Sequence, residues 1–396
     1  MRLFRANHLA FHEMVIDPMP TLPDFRLETH FAKWEFKARY HMTASDAEAM
    51  SVRDLLAMAT PEEREGFEGL WLGYTETFGA PDLRDAIAAT YPKQTAQDIL
   101  CFAGASEGIF AANQVLLDRD SHAIVVTPNY QSHETLPVAI CEATGVPLDP
   151  NDNWSLDIDR VAAAIRPNTK LVTINFPHNP TGAILPLDRY LALIELCRKH
   201  GIYILHDEIF NGLGETGTPH LPFVADIYER GLSLNVMSKS FGLPGLRIGW
   251  IACQDTQVLS KMERLKHYLS ICNSGPSERL ALIAVRNRAR ILARNCAIID
   301  DNLPKWDAFF QRHQALFDWH RPDGSCMAFP RYKGDDGVEA FCASLVEDSG
   351  VLFLPSTIYR SDLGPTPTDR FRLGFGRTNL DEGIAALEAH LARNAA

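Results

Sequence analysis

The chain has no Cys-x-x-Cys pair among its 8 cysteines, and their spacing is irregular. That pattern excludes the common zinc and dithiol motifs and implies reduced thiols rather than a disulfide frame. No stretch reaches the ~18 continuous apolar residues of a membrane-spanning helix. The opening "MRLFRANHLAFHEM" lacks the apolar run of a signal peptide. Positive charge is scarce: 38 Lys and Arg against 50 Asp and Glu give a formal net charge of −12. Such an acid excess gives no general attraction to nucleic acid or to an anionic membrane surface. Repeats and low-complexity tracts are missing too. These absences lead us to expect a cytoplasmic protein with no metal site, no nucleic-acid partner and no membrane segment.

The rest is ordinary globular material, 396 residues that are 46% hydrophobic and 22% charged. The length suits one large domain and a smaller one. Through the middle, short β-branched runs alternate with amphipathic stretches. "AIVVTP" (Ala123–Pro128), "KLVTINFP" (Lys170–Pro177), "IYILHDE" (Ile202–Glu208), "LSLNV" (Leu232–Val236) and "IGWIAC" (Ile248–Cys253) read as buried strands. "SEGIFAANQVLL" (Ser106–Leu117) and "LDRYLALIELCRKHG" (Leu187–Gly201) read as helices, the second stopping on Lys-His-Gly. This alternation predicts an α/β layer fold with a mostly parallel sheet. Near residue 280 the rhythm changes to one long helical segment, Pro276–His313, followed by strand-like "GVLFLP" and "RFRLGFG" and a last helix. The expected division is 1–50 as an N-terminal segment joining the small domain, 51–276 as the large domain and 277–396 as the small one.

Ligands in open α/β sheets bind beyond the carboxyl ends of the strands, and several short motifs fall there. In "AGASEGI", Gly104 permits a tight turn, and the amides of Ala105 and Ser106 open a helix, a natural phosphate site. A plain cap by Ser106 explains the same residues. "NFPHNPTG" aims Asn179 from a rigid loop, though Asn-Pro is also ordinary turn chemistry. "HDEIF" ends an apolar strand on Asp207, a carboxylate that needs a cation or a helix to cap. "SKSFGLPGLRIGW" carries Lys239 and Arg247 between apolar residues. A Lys near other cations can serve as a nucleophile, and an Arg offers a fork for phosphate.

A Lys imine with an Asp partner for a pyridinium nitrogen is the pattern of pyridoxal 5′-phosphate (PLP) sites. In order and spacing, these motifs resemble the class I/II aminotransferases, PLP enzymes of fold type I. The resemblance runs from about Tyr74 to the C-terminus. It implies a large α/β/α domain with a seven-stranded sheet plus a smaller α/β domain. It also implies that Lys239 is the Schiff-base lysine and proton shuttle, and that Asp207 keeps the ring nitrogen protonated. Asn179 would hold the 3-oxygen and face the substrate, and Tyr130 would stack on the ring. Ala105, Ser106, Ser238 and Arg247 would hold the phosphate, and Arg372, in "FRLGFG", the substrate carboxylate. Tyr74, in "GYTETFGAPDL", would reach the phosphate of the partner subunit, which implies a homodimer with shared sites.

The chain departs from that family in three places. Phe210 stands where the usual Asp-Glu-x-Tyr motif has a phenol. Val236 replaces a common Ser three residues before the lysine. The N-terminal "FRLETHFAKWEFKARYHMTASDAEAMSV" (Phe25–Val52) replaces the usual Gly-rich opening and resembles a branch that includes capreomycidine synthase, a PLP enzyme that cyclises a modified arginine. Glu28, Ser45 and Asp46 are candidate substrate contacts there, with cap or surface roles as the alternative. "YQSHE" (Tyr130–Glu134) and Trp154 are candidate pocket residues. The expected activity is transamination of an L-amino acid. A lyase, a cyclase or an oxidase would use the same residues. Some transcription regulators also carry such a domain, behind a DNA-binding helical one. The short stretch before Tyr74 and the acidic charge count against that.

Overall fold

The computed structural model describes residues 22–394. The stretch examined for a signal sequence lies outside the described residues. One sheet dominates, built from β1 (Ile99–Phe102), β2 (His122–Thr127), β3 (Glu142–Pro147), β4 (Thr169–Asn175), β5 (Tyr203–Asp207), β6 (Gly231–Val236) and β7 (Gly249–Ala252). Its 7 strands lie in the order β1-β7-β6-β5-β4-β2-β3. From β3 across to β6 the neighbours are parallel. β7 is antiparallel to both β6 and β1.

The side chains explain why this sheet is buried on both faces. Successive residues of a strand point to opposite sides. On one side Val172, Ile174 and Ile204 pack with Leu193, Ile194 and Cys197 of the helix Leu187–His200. On the other, Leu171, Leu205 and Leu234 pack with Ile109 and Ala112 of the helix Ala105–Leu116. The helix Leu187–His200 stops where the sequence said it would. Gly201 takes a left-handed φ of 65°, open to glycine at little cost.

Two local readings need correction. β3 was not anticipated, because as an edge strand most of its residues are only partly buried and it carries no clean apolar run. The stretch Pro276–His313 is not one helix. It breaks at Asn287 into Gly275–Arg286 and Arg288–Arg312. The first half packs Leu280 and Ile283 against Leu83, Ile87 and Trp250, alongside the large sheet. The second gives Ile299, Leu303, Trp306 and Phe309 to a different core, shared with Tyr40, Met42, Ala47 and the C-terminal residues Phe371 to Leu387. A small sheet of 3 strands, Leu354–Pro355, Phe371–Gly374 and Met327–Ala328, completes that second core. Among the described residues no helix is long and apolar enough to cross a membrane, and no group of three or more His, Cys, Asp or Glu could hold a metal ion.

Candidate active site

Strand register brings the motifs to one edge of the sheet. Asn175 pairs with Asp207 at the carboxyl ends of β4 and β5. Gly249, at the start of antiparallel β7, pairs with Phe102 on one side and Val236 on the other. The segments that follow β1, β4, β5 and β6, and the one that precedes β7, therefore meet at this edge.

The first feature is a cradle with the character of an anion site. The helix Ala105–Leu116 starts from Gly104 with no side-chain cap, so the cap role for Ser106 does not hold. Its first N–H groups stay open at the positive end of the helix. Gly104 has a φ of +107°, and a Cβ there would lie 2.5 Å from Arg247 Nη2. Arg247 leaves the turn Pro244–Leu246 in a left-handed conformation. Its Nη1 donates to the Pro244 carbonyl at 3.1 Å and, at 3.5 Å, to Ser238 Oγ. Gly249 allows this approach, because a Cβ on it would sit 2.8 Å from the Ala105 amide nitrogen. A Gly104→Ala variant therefore combines a strained φ with a displaced guanidinium. We expect its cofactor affinity to fall at least about tenfold, read by fluorescence titration of the cofactor-free protein.

Asp207 is 2% exposed at the end of β5. Its Oδ2 lies 2.9 Å from His133 Nε2, and His133 Nδ1 lies 2.9 Å from Thr173 Oγ1. Ile209 N–H donates to Asp207 Oδ1 at 3.3 Å. An Nε2–H tautomer of His133 satisfies both contacts: it donates to the carboxylate and accepts from the threonine hydroxyl. His133 lies inside the flagged "YQSHE", yet its pairing was missed. Nothing local in the sequence ties it to a strand end 74 positions away.

Lys239 follows β6, and its Nζ donates to Ser45 Oγ at 3.0 Å. Burial lowers its pKa, and Arg372 adds to this, while Asp46 works in the opposite direction. Ser45, a candidate substrate contact, touches the lysine. Asp46 pairs with Arg377 at 2.8 Å. Tyr130 donates to Glu28 Oε1 at 3.4 Å, with Phe25 against its ring at 5.0 Å between centroids. Burial, with Glu28 next, pushes its phenol up to about 12. Glu35, missed by the sequence reading, has its carboxyl pKa raised by burial and then by Glu28 and Asp46. The helix Arg26–Trp34 spans the two halves: Arg26 N–H donates to Gln131 and its guanidinium to the carbonyls of Ile358 and Arg360.

Arg372 is 1% exposed. It donates through Nη1 to Asn179 Oδ1 at 3.1 Å and through Nε to Thr43 Oγ1 at 3.4 Å. Among the described residues no carboxylate pairs with it, so a buried guanidinium awaits an anion. Two expected residues stay apart. Trp154 is buried in the core against Phe329 and under Arg370, so it is a packing residue. Tyr74 is 88% exposed, beside Trp71 at 82% and Leu72 at 80%. Phe210 and Val236 are both buried in the second core.

The donor set suits one kind of group. An uncapped helix start beside a guanidinium suits a phosphate, a buried carboxylate suits a protonated ring nitrogen, and a half-buried amine of lowered pKa suits an aldehyde. PLP carries all three, and the chain folds as a PLP enzyme of fold type I. Residues 48–387 match the family of class I and II aminotransferases, and the chain belongs to that family, whose cofactor is PLP. It is 28% identical over 380 residues to capreomycidine synthase of Streptomyces vinaceus, covering 94% of this chain and 95% of that protein. A PLP-dependent aminotransferase from Streptococcus suis 89-1591 superposes with a TM-score of 0.87 at 27% identity, covering 94% of this chain and 98% of that one. The PLP-dependent cyclase OrfR superposes with a TM-score of 0.85 at 25% identity, covering 96% and 100%.

Proposed function

We propose that the chain is an aminotransferase that moves the amino group of an L-amino acid to PLP, releasing a keto acid and leaving the aminated cofactor for a keto-acid acceptor. The observation that carries this reading is a buried guanidinium with no carboxylate partner among the described residues, Arg372, close enough to the half-buried amine of Lys239 to help lower its pKa. Bound PLP supplies an electron sink for the bond broken at Cα. Lys239 Nζ carries the cofactor, then takes the Cα proton as general base and returns it. Arg372 fixes the carboxylate so that this proton faces the lysine, which supplies acceleration through orientation. Asp207, oriented by His133, holds a proton on the ring nitrogen. Asn179 bonds the 3-oxygen, and Tyr130 covers the ring face. The amides of Ala105 and Ser106, with Ser238 and Arg247, hold the phosphate. We place the protein in the cytoplasm as a homodimer, in which Tyr74 serves the partner subunit's site. The exposed apolar run Trp71, Leu72 and Tyr74 supports such a contact.

A second reading is a lyase or cyclase. The likeness to capreomycidine synthase across 94% of the chain favours it. A single-turnover reaction separates the two. The PLP-loaded protein is mixed with a panel of L-amino acids, arginine and hydroxylated arginines included, without any keto acid. Stoichiometric aminated cofactor and a matching keto acid establish transamination. Repeated turnover with PLP retained establishes the lyase or cyclase, and oxygen consumption would mark an oxidase.

Phe210 has a consequence of its own. With one donor fewer, the 3-oxygen keeps more negative charge and holds the proton of the lysine–cofactor linkage more tightly. We expect Phe210→Tyr to lower the pKa of that linkage in a spectroscopic titration. An unchanged value would show that position 210 does not reach the oxygen.

A further inference from the structure

A carboxamide has an accepting end and a donating end, and the surroundings of Asn179 settle which points where. Its Oδ1 accepts from Arg372 Nη1 at 3.1 Å and from the Tyr359 hydroxyl at 3.4 Å. Its backbone N–H donates to Asn175 Oδ1 at 2.8 Å, which fixes the main chain below it. Turning the amide over would set Nδ2 donors against the donor-only guanidinium and break the bond from Arg372, while the Tyr359 hydroxyl would have to turn and accept. Nδ2 therefore points away from Arg372, and it has no partner among the described residues. Asn179, Tyr359 and Arg372 are all buried, so each mismatch would be costly.

Tyr359 enters from the other half of the molecule, at the end of the turn Ser356–Tyr359. Its ring lies beneath the Arg372 guanidinium, 5.8 Å from the centroid, and against Phe329 at 5.7 Å. Burial pushes the phenol up to about 12, so it keeps a hydrogen to donate. The phenol absent at Phe210 is thus matched by one that arrives from the cluster Tyr359 shares with Phe329 and Leu354.

We propose that Tyr359 is a positioning residue: with Arg372 it locks the Asn179 carboxamide so that Nδ2 donates to the 3-oxygen of PLP. This rests on the PLP reading of the site but not on which reaction the enzyme performs. A hydroxyl donating into Oδ1 also draws charge from the amide and makes Nδ2 a better donor. Weakening that donor leaves more charge on the 3-oxygen and tightens the proton on the Lys239–cofactor linkage. Asp46, Arg372, Cys326 and Glu28 also act on Lys239, and none of them changes in the variants below.

The test is a double-mutant cycle on the PLP-loaded protein, read by absorbance against pH without substrate. Tyr359→Phe should raise the pKa of the linkage by about half a unit to one unit, a roughly three- to tenfold tighter proton. Asn179→Ala should raise it further. Adding Tyr359→Phe to Asn179→Ala should change nothing more, because Tyr359 acts through the amide. An unchanged pKa in Tyr359→Phe overturns the proposal. So does an equal rise in both backgrounds, the mark of a general loosening that would also lower the melting temperature of the cofactor-free variant. A wild-type protein that shows no titrating linkage overturns the PLP reading itself. One that titrates as described but never transaminates overturns only the aminotransferase reading.

Discussion

Replacing Lys239 by Ala leaves a protein that holds PLP without linking to it and turns over at least about 10⁴-fold more slowly. The same amine carries the cofactor and moves the proton, so no other group can take up half of the work. A more deeply buried lysine, Lys266, is the rival, and its contacts distinguish it from half-buried Lys239. Lys266 Nζ is already committed to the carbonyls of Thr77 at 2.6 Å and Cys101 at 2.7 Å, and to Asn273 Oδ1 at 3.3 Å. Among the described residues Lys239 Nζ has only the Ser45 hydroxyl. Borohydride reduction of the PLP-loaded protein, followed by peptide mass spectrometry, should place the cofactor on Lys239. A label on Lys266, or full activity in Lys239→Ala, would refute the assignment. Added small amines should restore part of the rate in the variant, since they can move the proton without being tethered.

The second large effect is at Asp207. Asp207→Asn keeps the shape of the side chain but removes its charge, so nothing compensates a protonated ring nitrogen in a water-poor site. Losing one preorganised electrostatic contact of this kind costs roughly 10²- to 10³-fold in rate. His133→Ala should cost less, about 10- to 100-fold, because it only orients the carboxylate, as outer partners of a site generally do. Steady-state kinetics of both variants, with cofactor occupancy checked by absorbance, tests the order. If His133→Ala were the more damaging, the histidine and not the aspartate would be the group that meets the ring.

These expectations rest on features of unequal legibility. Runs such as "AIVVTP" and "LSLNV" announced buried strands because β-branched residues with no polar face have no other stable place in a soluble fold. The glycine of "AGASEGI" and the cations of "SKSFGLPGLRIGW" were readable because turn geometry and cations set among apolar residues are local features, although Arg247 proves exposed and Lys239 half-buried. β3 was not readable, since an edge strand needs no continuous apolar run. The break at Asn287 was not readable either, because two helices with different packing partners share one helical pattern. His133 on Asp207 and Ser45 on Lys239 were invisible for another reason. Each is a long-range pair between ordinary residues.

The sequence by itself determined the alternation of strand and helix and the kinds of chemical group at the strand ends. Both are set by side chains and backbone turns acting within a few residues. Only the tertiary structure decided which groups meet. The strand order places the ends of β4, β5 and β6 beside the start of β7, the small sheet brings Arg372 and the N-terminal segment Ser45 to that edge, and Tyr359 reaches it from the cluster it shares with Phe329. Contacts of that kind depend on chain closure over long separations. The energy that fixes them lies in the packed cores and not in any one segment.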